Sequence, residues 1–242
     1  MTGNKKSPPE AGFETRAIHA GAHPDPATGA RNTPIFQTTS YVFDDADHAA
    51  DLFNLQTFGF IYSRLTNPTV SALEEKVAAL EDGRGAVACA SGHAAQMLAM
   101  FVLMNPGDNF VASRNLYGGS VTQFTHTFKK FDWHVNFVDP ADPENFRNAI
   151  DEKTKAIFLE VLANPGGIIV DLEPIAEIAK DAGILCGVDS TFATPALLRP
   201  LEYGVDIVMP STTKYISGHN QLIGGAALTD DDELGEHFHY VQ

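Results

Sequence analysis

Cysteine is scarce in this chain: two in 242 residues, Cys89 and Cys186, far apart and each in an apolar context. That scarcity argues against a disulfide framework, and no C-x-x-C spacing exists to form a redox or metal pair. Basic residues are also few, 16 against 31 acidic, for a net charge of −15. Such a balance argues against a nucleic-acid or anionic-membrane surface, and an anionic ligand needs its own local cationic site. No apolar run approaches the length of a membrane span. The start of the chain, with Lys5 and Lys6 but no apolar stretch, does not read as a signal peptide. Internal repeats and low-complexity tracts are missing too. The expectation is a cytoplasmic protein with reduced thiols.

What is there is ordinary in bulk: 44% hydrophobic and 19% charged residues, enough for one large α/β domain or two small ones. Residues 1–13 read as a lead. Residues 14–68 read as an irregular arm, with Gly, Pro, Asn and Thr scattered through it. An arm this long is unusual in a compact domain unless it has a job. From Asn67-Pro68-Thr69 a helix is expected, with Val70, Leu73, Val77 and Leu80 at helical spacing and a stop at Asp82-Gly83. Short apolar strands then alternate with helices. Strands are expected over 86–90, 109–113, 134–138, 156–160, 184–188, 207–209 and 225–228. Helices are expected after Ser91, across 121–131, from Asp142-Pro143-Glu144, and over 173–182 with Gly183 as the stop. The pattern means an α/β fold with a mostly parallel sheet flanked by helices.

Ligands of such sheets lie at the carboxyl ends of the strands, so the residues after each strand matter most. Ser91-Gly92-His93 opens a helix with small residues that bare backbone N–H groups to an anion; taken alone, a plain cap with tight packing is the simpler reading. Tyr117 stands on a glycine-rich turn, Asn115 to Ser120, where it can stack on a planar ring or simply cover the turn. Asn164 precedes Pro165, as a donor to a phenolate oxygen or as a common turn. Asp189 ends an apolar strand, where a carboxylate is expensive unless paired; a protonated pyridine nitrogen is such a partner, a capped turn the plainer one. After the run Val205 to Met209 comes Ser211-Thr212-Thr213-Lys214. There hydroxyls at Ser211 and Thr213 can hold a phosphate while Lys214 holds an aldehyde. Together these groups are what pyridoxal phosphate (PLP) needs. No G-x-G-x-x-G follows the first strand, against dinucleotide binding. His237 and His239 lack a third metal ligand and read as exposed helix residues.

At this point the chain resembles the cystathionine γ-synthase-like, Cys/Met-metabolism family of fold-type I PLP enzymes, from Glu14-Thr15-Arg16 to Gly224-Gly225. The runs Pro34 to Phe43, Phe60-Ile61-Tyr62-Ser63-Arg64 and Pro24 to Arg31 are most like its O-acetylhomoserine sulfhydrylase branch. The resemblance implies a fold-type I large domain over residues 69–242 and an arm over 1–68 that contacts a neighbouring subunit, with the family's C-terminal domain absent. It implies Lys214 as the Schiff-base lysine and proton shuttle, Asp189 on the pyridine nitrogen, and Tyr117 as a catalytic residue that stacks on the ring and assists proton transfer or leaving-group departure. Ser91, Gly92, the backbone at His93, Ser211 and Thr213 would hold the phosphate, Asn164 the ring oxygen. Tyr62 and Arg64 would reach the phosphate of the neighbouring subunit in a homotetramer of catalytic dimers. The implied reaction is γ-replacement on O-acetylhomoserine by sulfide, giving homocysteine and acetate. The alternatives are γ-elimination, cystathionine γ-synthase-type chemistry, and a PLP-binding protein with little activity. No metal is implied. His93 stands where the family usually has Met or Gln, Pro210 where His commonly precedes the Ser, and Asn220-Gln221 also departs from the sulfhydrylase pattern.

Overall fold

The computed structural model describes residues 11–242, so the expected lead over 1–13 lies mostly outside the described residues. The chain divides into two compact units, one up to Leu80 and one from Glu81 to Val241.

The first unit holds helices α1 (Phe13–His19), α2 (Ala46–Phe53) and α3 (Pro68–Glu81), the last ending at the division. The expectation of an irregular arm over 14–68 is therefore corrected by two short helices. For α2 the local reason is visible: the Asp45 side chain accepts from the His48 N–H at 2.8 Å and caps the first turn. The α3 helix fastens the arm by its backbone and by Lys76. Lys76 Nζ donates to the carbonyls of Ala17 (3.1 Å) and Ile18 (3.0 Å), and Arg16 donates to the Ala79 carbonyl at 2.9 Å. At the other end of α3, Asn67 Nδ2 donates to the Phe36 carbonyl and Thr69 Oγ1 to the Pro34 carbonyl. These long-range bonds explain why the division falls at the end of α3 rather than at its start, between residues 68 and 69.

The second unit contains β1 (Gly85–Cys89), α4 (Gly92–Leu103), β2 (Asn109–Ser113), α5 (Gly118–Thr122), β3 (His134–Val138), α6 (Glu144–Ala149) and β4 (Thr154–Glu160). It continues with α7 (Leu172–Ala182), β5 (Leu185–Asp189), α8 (Thr194–Leu197), β6 (Ile207–Val208), β7 (Gly225–Thr229) and α9 (Asp232–Val241). The strands form one sheet in the order β1-β7-β6-β5-β4-β2-β3. Pairs from β6 to β3 are parallel; β7 runs antiparallel to both β1 and β6. Strand bounds match the sequence pattern to within one or two residues, because fully covered strands are continuous apolar runs. The α7 helix buries Leu172, Ile175, Ala176, Ile178 and Ala179, and Gly183 ends it at φ 67°.

The helix expected across 121–131 is instead three short pieces: α5, a π turn over Gln123–Thr127 and a 3-10 turn over Phe128–Phe131. Both Phe124 and Phe128 are fully buried. Phe124 packs edge-on against Phe110 and Phe158, with centroids 5.0 Å away in each case. No helix among the described residues is long and apolar enough to cross a membrane.

Candidate active site

Every strand end singled out by the sequence lies in the second unit, and specific contacts tie these ends together. Ser91 is the N-cap of α4, its Oγ accepting from the Ala94 N–H at 3.1 Å. Beside it Gly92 is buried, and a Cβ there would lie 2.8 Å from Ser211 Cβ. Glycine thus lets the end of β1 meet the segment after β6. The join is repeated at Gly225, where a Cβ would come within 2.2 Å of the Ser91 carbonyl oxygen. His93 faces the β2 end: its ring lies over that of Tyr117, centroids 5.9 Å apart and planes at 29°. A cleft of about 480 Å³ opens beside it, lined by His93, Gly118, Gly119, Thr122, Gln123 and Thr127.

Asp189 closes β5 and is buried. One carboxylate oxygen accepts from the N–H (2.8 Å) and the hydroxyl of Thr191; the other accepts from Gln96 Nε2 at 3.4 Å. Burial pushes the Asp189 carboxyl upward, against the bonds from Thr191 and Gln96 and the field of His93. Thr191 also links β5 to the lysine segment, because its Oγ1 accepts from the Ser211 N–H at 2.8 Å. Lys214 follows on an exposed turn, bonded through its N–H to the Ser211 carbonyl at 3.3 Å.

Thr213 is differently engaged from the expectation. Its hydroxyl donates to the Gly224 carbonyl and accepts from the Gly224 N–H, both at 3.0 Å, and its own N–H also points to the Gly224 carbonyl. Both donors of Thr213 are thus committed to one carbonyl. Tyr62 and Arg64 lie in the first unit, both exposed, with the guanidinium carbon 5.8 Å from the tyrosine ring centre. His237 and His239 are exposed on α9.

Sequence reasoning missed Glu160, which it read only as the last residue of a strand. Glu160 is buried. Its Oε1 accepts from the Tyr117 N–H at 2.5 Å and its Oε2 from the Asn164 N–H at 3.0 Å. The signal was available: an acid closing an apolar strand, the same signature as Asp189. Gln96 was missed as well. It donates to both Asp189 and Ser120, and nothing in a helical run of apolar residues marks it.

Buried side-chain atoms without hydrogen-bond partners include His93 Nε2, Gln96 Oε1, whose amide nitrogen bonds Asp189, and Ser190 Oγ, on the residue after Asp189. A buried carboxylate suits a protonated heterocyclic nitrogen. The aromatic Tyr117, the close Gly92–Ser211 approach at the start of α4 and the amine of Lys214 suit a planar ring with a phosphate and an aldehyde. The residues present fit PLP.

Comparison with known proteins agrees. The family model for Cys/Met metabolism PLP-dependent enzymes matches residues 14–242. The chain is 49% identical over 215 residues to the O-acetyl-L-homoserine sulfhydrylase of Leptospira meyeri, covering 89% of this chain and 49% of that protein. It is 49% identical over 218 residues to O-acetyl-L-homoserine sulfhydrylase 1 of Thermus thermophilus, covering 89% and 52%. Among solved structures, a putative O-acetylhomoserine (thiol)-lyase of Campylobacter jejuni with a pyridoxyl-lysine phosphate superposes with a TM-score of 0.88 at 40% identity. The match covers 94% of this chain and 55% of that one. The chain therefore spans about half the length of the curated relatives it matches. Its mixed, mostly parallel sheet with flanking helices is the fold-type I architecture of PLP-dependent enzymes. The chain belongs to the Cys/Met-metabolism family of PLP-dependent enzymes.

Proposed function

We propose that this chain carries the cofactor site of an enzyme that replaces the γ-acetoxy group of O-acetylhomoserine with sulfide, giving homocysteine and acetate. The observation that supports it most is the chain of contacts from Asp189 through Thr191 to Ser211, three residues before Lys214. When bound, PLP supplies an electron sink for the charge that develops as a substrate C–H bond breaks.

The residues of the chain do the rest. Lys214 provides the amine for the aldehyde carbon and moves protons at the substrate Cα and Cβ. Asp189, ionised, holds the proton on the pyridine nitrogen; this pairing compensates the cost of burying the carboxylate. Tyr117 would cover the ring, and Asn164 would donate to the ring oxygen. The phosphate is held by Ser91, Gly92, the His93 backbone and Ser211, at the N-terminus of α4. Thr213 joins them only by releasing the Gly224 carbonyl. Tyr62 and Arg64 serve a neighbouring copy of this chain, Arg64 gripping phosphate oxygens with its fork, in a tetramer built of catalytic dimers. Two cysteines and a surface without basic excess support a cytoplasmic setting, with a small amino acid and sulfide as the substrates.

The test has two parts. Purified chain titrated with PLP is expected to give a visible band that borohydride fixes; Lys214→Ala is expected to abolish the fixed adduct, and a variant that keeps it contradicts the assignment. The same preparation is then given O-acetylhomoserine with sulfide, with cysteine, or alone. Homocysteine only with sulfide supports γ-replacement. Cystathionine or 2-oxobutyrate as the main product would move the assignment to the other branches of the family.

A further inference from the structure

Glu160 stands where the sheet brings the cofactor contacts together. Strand β4 lies between β2 and β5, and Glu160, its last residue, pairs in register with Asp189 on β5. The carboxylate reaches two loops at once. One is the turn after β2 that carries Tyr117; the other is the loop after β4 that carries Asn164. Each loop donates one backbone N–H to a different carboxylate oxygen, at 2.5 Å and 3.0 Å. A carboxylate suits this duty because it offers two acceptor atoms and no donor when ionised. Glutamine at the same length would turn an amide N–H₂ toward one of the two donors. Aspartate would be one methylene short of spanning both.

We propose that Glu160 is a positioning residue that fixes Tyr117 and Asn164 in their places on the cofactor ring by clamping the backbones of their two loops. The inference rests on the cofactor reading above and adds a residue to it. Glu160 touches neither substrate nor cofactor in this scheme; it acts through the two side chains whose main chains it holds. Its burial is otherwise hard to justify. The carboxyl is pushed up to about 7 by loss of water, the two N–H bonds oppose that rise, and the charge of Asp189 adds to it.

The test is PLP titration of the full chain and of Glu160→Gln, read by visible absorption and by the circular dichroism of the bound cofactor. Glu160→Gln is expected to weaken PLP retention roughly tenfold, the usual scale for one donor left facing a donor, and to change the induced dichroism. The loss must also depend on Tyr117 and Asn164. In a Tyr117→Ala, Asn164→Ala background, adding Glu160→Gln is expected to have little further effect, since the clamp then holds nothing that touches the ring. Equal loss in both backgrounds would mean a merely structural role and would overturn the proposal, as would unchanged affinity and dichroism in the single variant. A wild-type chain that binds no PLP takes down the cofactor reading and this inference with it. If Glu160→Gln does not fold, amide exchange in the wild-type protein decides. Slow exchange at both Tyr117 and Asn164 upholds the clamp, and rapid exchange at either one removes it.

Discussion

The two units of this chain bury their apolar residues to different extents. From Glu81 onward the large side chains are mostly inside: Phe110, Phe124, Phe128, Phe146, Phe158 and Phe238 are all fully buried. In the first unit Leu52 and Val77 are buried, but Ile35, Val42 and Leu55 stand 80%, 96% and 88% exposed. One unit carries its own hydrophobic core. The other is held largely by side-chain-to-backbone hydrogen bonds around α3 and leaves apolar surface over, as expected of a segment whose partner is another molecule. That contrast supports the proposal that residues 1–68 serve a neighbouring copy, while the strand ends of the second unit seat the cofactor.

The sharpest way to break the contrast is to damage the core. Phe124→Ala removes a ring that packs on Phe110, Phe128 and Phe158 and is expected to cost about 3–5 kcal/mol. Urea unfolding would show it as a lowered midpoint. A loss below about 1 kcal/mol would mean that the core is not where the stability of the second unit resides.

A smaller effect, of opposite sign, is expected at Glu81, the first residue of the second unit. It is fully buried with neither carboxylate oxygen hydrogen-bonded. Burial pushes its carboxyl from 4.5 to about 8, against the pull of Arg199, with Asp82 and Glu202 adding to the rise. A raised carboxyl means that the folded state binds the proton more tightly than the unfolded state. Its contribution to stability is therefore full below the unfolded value and is lost as pH rises to about 8. Glu81→Gln should flatten that loss and stabilise the protein at pH 8 by roughly 2–3 kcal/mol, the part of the linkage that survives relaxation. Melting curves at pH 5 and pH 8 check it; a variant with the same pH slope as the parent would refute it.

The smallest expected effect on folding is in the arm. Val42→Ser together with Leu55→Ser should change unfolding of the isolated chain by less than about 0.5 kcal/mol, because both side chains are already in water. If the arm serves a neighbouring copy, the same pair lowers the oligomeric mass seen by sedimentation. An unchanged mass would separate the arm from assembly.

How much of this was legible in the sequence follows from how local each signal is. The helix over α3 and the strands of the second unit could be read because their apolar spacing is local and strong. Asp189 stood out because an acid after four apolar positions is costly anywhere. The short helices α1 and α2 were not legible; at seven and eight residues each makes about two turns, too few for an apolar stripe to repeat. The antiparallel placement of β7 between β1 and β6 depends on long-range pairing that no local pattern carries. Thr213 looked free to meet a phosphate because its bonds to Gly224, eleven residues away, are tertiary. Glu160 ends an apolar strand as Asp189 does, so its cost was legible; its partners were not, because the N–H groups of residues 117 and 164 are backbone donors that leave no mark in a sequence.

The measurement that bears most directly on the cofactor seat is mass spectrometry of the borohydride-reduced, PLP-treated chain after proteolysis. The expected result is a pyridoxyl adduct on the peptide that contains Lys214 and on no other. An adduct spread over several exposed lysines, or none in a folded sample, would contradict the strand-end site.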